Sequence, residues 1–205
     1  MRQLNKKWKT TYILIFVMLT FAKGVSFAED FHNGEKIITH IQAVQNSRLN
    51  HITVKAMISA PIEIVWQELK KLDRFGADNP FMKVSSIVPK KNNISLVTMK
   101  MGLPWPLPKM KCFVNFLPIE KEYAVAWEKE KGCAKHNTGK VFLTKMEDKT
   151  LLTFDFQLEL GRGLPLTVIH WGLKNNLPKE IVRIRKQALQ GARKQYAEAG
   201  KKERS

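Results

Sequence analysis

The chain has 205 residues, 44% of them hydrophobic, and its 35 Lys and Arg against 18 Asp and Glu give a formal net charge of +17 at pH 7. That length suits one domain with a sizeable core and excludes the need for a second, and two cysteines without CxxC or HxxxC spacing exclude a cysteine-built metal or redox motif. So basic a surface is drawn to nucleic acid or to anionic lipid head groups, unless the charge is simply a solvated Lys-rich face.

Arg2, Lys6, Lys7 and Lys9 form a basic start, Tyr12 to Phe21 is an almost unbroken apolar run, and Ser26-Phe27-Ala28 places small residues at the two positions a signal peptidase reads. The run falls short of the roughly 20 residues that span a bilayer. Residues 1–28 are therefore expected to be a cleavable export signal, cut after Ala28, with residues 29–199 as one domain and 200–205 as a disordered polar tail. The mature chain keeps 30 basic against 18 acidic side chains, about +12. For a soluble periplasmic protein the expected anionic partner is a membrane surface, not nucleic acid.

Glu35 to Val44 reads as a strand, Asn46-Ser47 as a turn, and His51 to Ile58 alternates Ile52, Val54, Ala56 and Ile58, so that residues 35–58 form a hairpin. Pro61 then opens a helix of about three turns, with Ile62, Val65, Trp66, Leu69 and Leu72 three or four apart and Glu63 near the positive end of its dipole. After a polar connector, Arg74 to Pro80, six strands follow without intervening helices: Met82–Val88, Ile94–Met101, Met110–Leu117, Tyr123–Lys129, Thr138–Met146 and Leu151–Leu160. Such even spacing predicts an antiparallel meander. Leu152, Phe154, Phe156, Leu158 and Leu160 alternate with Asp155, Gln157 and Glu159, so one face of the sheet is wet and the other covered.

The cover is the C-terminal segment, where Leu177, Ile181, Ile184, Ala188, Ala192 and Tyr196 recur at helical spacing. A continuous helix from Pro165 to Ala199 would run roughly 50 Å at 1.5 Å per residue, but Gly172 and Pro178 predict a break or kink between two segments. Arg183, Arg185, Lys186, Arg193 and Lys194 lie beside its apolar stripe and are expected to face an anionic membrane. An oxidising compartment would permit one disulfide. Cys112 in an apolar strand and Cys133 in a turn two strands' length away do not read as partners, and Cys112 is taken as a small core residue.

Strand, short helix, antiparallel strands and a long terminal helix have few compact arrangements; the sheet must curl around the helix. The junction Ile58-Ser59-Ala60-Pro61-Ile62-Glu63-Ile64-Val65-Trp66, the Pro104-Trp105-Pro106 connection, Asn137-Thr138-Gly139 and Gly163-Leu164-Pro165 carry a resemblance to the helix-grip superfamily of START domains and polyketide cyclases, the SRPBCC proteins. It covers roughly Asn33 to Ala192, and where members often have an aspartate-tyrosine stretch this chain has Leu72-Asp73-Arg74-Phe75. The resemblance implies an α+β helix-grip fold, a curved antiparallel sheet wrapped around a long C-terminal helix with a hydrophobic cavity between them. It also implies a bound hydrophobic ligand.

The candidate lining is Met99, Met101, Trp127, Phe154 and Phe156 on strands, with Trp171, Ile181 and Ile184 on the terminal helix. Each could equally be plain core packing. Trp105, held in a stiff Pro-rich loop, would gate the mouth, touch a membrane or plug the cavity. No GxSxG, metal spacing or carboxylate pair stands out, and no cofactor is expected. His170, beside Trp171, is the one candidate acid or base. The expectation is a periplasmic carrier for a hydrophobic small molecule, a lipid or fatty acyl compound. The alternatives are a cyclase- or dehydratase-like enzyme using the same cavity and a module that docks on membranes or partners.

Overall fold

The computed structural model describes residues 26–32, 35–79, 82–102, 109–161 and 164–202. Most of the expected export signal, the loop that carries Trp105, the Arg162-Gly163 pair and the last three residues lie outside these. The chain order is β1 (Ser26–His32), β2 (Glu35–Ala43), β3 (Asn50–Ile58), α1 (Ile62–Leu69), a 3-10 turn at Leu72–Arg74, β4 (Met82–Pro89), β5 (Ser95–Met101), β6 (Met110–Ile119), β7 (Ala124–Gly132), β8 (Ala134–Met146), β9 (Lys149–Leu160) and α2 (Leu166–Lys202). Among the described residues they make one nine-stranded sheet in the order β1-β2-β3-β9-β8-β7-β6-β5-β4. Every neighbour is antiparallel.

Local chemistry accounts for the turns. Asn46 between β2 and β3, and Asn92 and Asn93 between β4 and β5, take positive φ of 57°, 58° and 59°, a region asparagine tolerates better than most residues. Register shifts at Val84/Ser86, Phe113/Val114 and Ala134/His136 interrupt three of the ladders. Each such bulge sharpens twist and bends the strand that carries it. At the centre, Gly139 of β8 pairs with Phe156 of β9, and a Cβ at Gly139 would lie 2.2 Å from Phe156 Cβ. Only glycine fits there.

β3 alternates as its pattern predicts: Ile52, Val54, Ala56 and Ile58 are buried. Helix α1 is shorter than expected, eight residues, because Leu72 belongs to the separate 3-10 turn. Its Trp66 Nε1 donates to Glu120 Oε2 at 2.6 Å, and that bond, with Lys70 behind it, holds the Glu120 carboxyl below the usual range.

Three expectations change in the terminal helix. α2 runs for 37 residues through Gly172 and Pro178, without the break foreseen as one outcome there; Pro178 removes one backbone donor, and packing against the sheet stabilises the helix beyond its own propensity. It also runs to Lys202, through the start of the expected tail. Arg183 and Arg185, read as membrane-facing, are buried. Arg183 Nε donates to Glu180 Oε1 at 3.1 Å, and Arg185 Nη2 to the Met57 carbonyl at 3.0 Å, fastening α2 to β3. Buried guanidinium groups must find such acceptors. Lys186, Arg193 and Lys194 stay exposed.

The cysteines supply the fourth correction: Cys112 and Cys133 form a disulfide, with Cα atoms 5.0 Å apart. Antiparallel pairing sets Cys112 opposite Gly132, and Cys133 N–H donates to the Lys111 carbonyl at 3.0 Å. Gly132 takes φ of 103°, and a Cβ there would meet the Lys111 carbonyl oxygen at 2.3 Å. The bridge depends on that bare backbone.

Candidate functional site

The sheet bends away from α2 along β4 to β9 and leaves a cavity of about 220 Å³ between them. Small-molecule sites run from roughly 300 to 1,000 Å³, so this one suits a compact or single-chain ligand. Its walls are apolar. β5 contributes Met99 and Met101, β6 Val114 and Phe116, β7 Val125 and Trp127, and β9 Phe154, Phe156, Leu158 and Leu160. Trp127 lies at the centre of an aromatic group, its ring 5.7 Å from Phe156, 6.1 Å from Phe116 and 6.4 Å from Phe154, with Phe75 6.2 Å from Phe116. Tilted and stacked rings at these separations attract beyond their area of contact. The disulfide is part of the wall, and Met101 Sδ lies 3.3 Å from Cys112 Sγ.

Six of the ten residues singled out in the sequence come together here: Met99, Met101, Trp127, Phe154, Phe156 and Trp171 all line the cavity. Trp171 is also 45% exposed, which marks the side on which the cavity approaches solvent. Trp105 lies outside the described residues. The remaining three sit elsewhere. Ile181 and Ile184 are fully buried in the filled part of the core, because the last α2 residue in the lining is Glu180. His170 is not in the lining either: its Nε2 lies 2.9 Å from Asn50 Oδ1, at the start of β3. Burial, and then the charge of Lys174, lower the pKa of its imidazole.

The polar groups of the cavity were not anticipated. Asn137 Oδ1 accepts from Trp127 Nε1 at 3.0 Å, which fixes the indole in the wall. Gly172, Asn176 and Glu180 follow one another at a spacing of four, one row along α2. Glu180 Oε2 accepts from Gly76 N–H at 3.0 Å, and Oε1 accepts from Arg183. Arg183 Nη1 in turn donates to Gln187 at 2.8 Å. Asn176 Nδ2 donates to the Gly172 carbonyl at 2.8 Å, which leaves its Oδ1 buried with no partner in the protein. Two polar residues, Asn176 and Glu180, at spacing four on an otherwise apolar helix face were the available signal.

No known protein-family model matches this sequence, and a search of curated proteins finds no match. Solved structures do resemble it. A STAR-related lipid transfer protein from Xanthomonas axonopodis aligns with a TM-score of 0.64 at 16% identity, over 80% of this chain and 98% of that one. Human STARD10 aligns at 0.59 and 14% identity, over 91% and 81%, and the Zhui aromatase/cyclase from Streptomyces sp. R1128 at 0.55 and 14%, over 72% and 96%. The chain has the helix-grip fold of START domains and aromatase/cyclases.

Proposed function

We propose that this protein binds a hydrophobic small molecule, a lipid or fatty acyl compound, between the sheet and α2, and carries or sequesters it outside the cytoplasm. The observation that carries the reading is the apolar cavity, walled by Met, Phe and Trp side chains at the place where a curved sheet and a crossing helix leave space. Burying an apolar body there is favourable by roughly 25 cal/mol per Å² removed from water. That two proteins of this fold are a lipid transfer protein and an aromatase/cyclase supports a hydrophobic ligand. The N-terminal pattern and the disulfide support an exported setting. The carrier reading is preferred to the enzyme because His170, the candidate proton shuttle, lies outside the lining, and the Glu180 carboxylate is engaged by Arg183 and Gly76.

Mass spectrometry of organic extracts from protein purified out of its native compartment is expected to find a stoichiometric apolar compound. Met99→Glu and Phe156→Glu are each expected to abolish binding of a fluorescent lipid probe, since an unpaired charge in an apolar wall costs several kcal/mol. Variants that keep the native circular dichroism and still bind the probe unchanged would overturn the assignment.

A further inference from the structure

The exterior and the cavity of this protein have opposite character. The chain carries 35 Lys and Arg, yet the described residues that line the cavity include no Lys, Arg or His and one acid, Glu180. Of the guanidinium groups bonded to lining residues, Arg183 is spent on Glu180 and Gln187, and Arg48, outside the lining, donates to the Leu164 carbonyl. Among the described lining residues an anionic head group would therefore meet a carboxylate and no cation. One polar atom of the wall does lack a partner: Asn176 Oδ1, one helical turn before Glu180. Its identity as oxygen follows from the neighbouring bond, because the Gly172 carbonyl can accept only from the amide's NH₂. A buried acceptor of this kind is completed by a donor.

The geometry points to a ligand with an uncharged head that donates a hydrogen bond, an alcohol or primary amide on a single apolar body, held by Asn176 Oδ1, and to the exclusion of free fatty acids. This rests on the carrier reading and narrows it. The acceptor selects for the donor because a head that cannot donate leaves Oδ1 buried and unpaired, at a cost of about tenfold in affinity or more. The carboxylate is rejected because its desolvation is not repaid by any charge partner.

The test is displacement of the neutral fluorophore N-phenyl-1-naphthylamine from the full chain at about pH 8 by decanol, decyl methyl ether, decanoic acid and decylamine. Decanol is expected to bind about tenfold more tightly than the ether, which accepts but cannot donate, and tighter still relative to ionised decanoate. In Asn176→Leu the gap between decanol and the ether should close to within about twofold, with the ether bound no more weakly than by the unmodified protein. Asn176→Ala takes its place if the leucine variant does not fold. Decanoate or decylamine matching decanol in the unmodified protein would overturn the inference, as would a gap that persists in the variant. Those outcomes leave the carrier reading standing. Failure of the fluorophore and all four compounds to bind would instead overturn the carrier reading, and this inference with it.

Discussion

The imidazole of His170 belongs to the joint between α2 and β3, where it meets Asn50, and its lowered pKa makes that joint sensitive to acid. Burial disfavours the charged form, and Lys174 adds to the effect, so the folded chain takes up this proton less readily than the unfolded chain, for which the ordinary value is 6.5. The contribution of the neutral imidazole is fully present above that ordinary value and is lost as pH falls through the lower folded one. Thermal unfolding is expected to occur at a lower temperature at about pH 5 than at about pH 7.5, and His170→Gln, which keeps a side-chain partner for Asn50 without titrating, should reduce the difference. Equal differences in the two proteins would place the sensitivity elsewhere. The sequence placed His170 beside Trp171 and so toward the cavity; on a helix, however, adjacent residues point about 100° apart, and only Trp171 reaches the lining.

Among the elements, those written in period-two or helical spacing were legible. The hairpin of β2 and β3, the strands β4 to β9 and the cover by α2 follow from alternation and turn residues, and the structure keeps them within a few positions. What was not legible depends on contacts between elements. Arg183 and Arg185 look like surface charges until Glu180 and the Met57 carbonyl are found beneath them. Likewise the bulge at Phe113/Val114 lengthens one arm of the β6–β7 hairpin, and straight counting from the turn would set Cys112 opposite Lys131 rather than Gly132. One extra residue brings the two cysteines into reach. Bridging positions 21 apart restricts the unfolded chain by about 3 kcal/mol. The double variant Cys112→Ala/Cys133→Ala is accordingly expected to lose about 2–4 kcal/mol in urea unfolding, with an m-value no smaller than that of the bridged protein. The intact native protein should show no alkylatable thiol; two reactive thiols would remove the bridge from the account.

For the whole molecule, charge lies outside and apolar surface within. Residues 29–205 carry about +12, and with Arg183 and Arg185 buried the exposed basic side of α2 includes Lys179, Lys186, Arg193 and Lys194. Each basic group close to an anionic bilayer contributes about 1 kcal/mol, over a Debye length of about 8 Å at physiological salt. Vesicle association is expected to require anionic lipid, to weaken as salt is raised, and to fall further when Lys186, Arg193 and Lys194 become Gln. Equal, salt-insensitive binding to neutral vesicles would assign the association to apolar contact instead. The shape of the cavity wall is set more locally. The methylene of Phe156 occupies the space that a side chain at position 139 would need, so the ring stands where it does because β8 offers nothing there. Any larger residue at 139 would collide with the β9 backbone at Asp155 and Phe156 as well as with that methylene, so a stretch of the cavity wall rests on one missing methyl group.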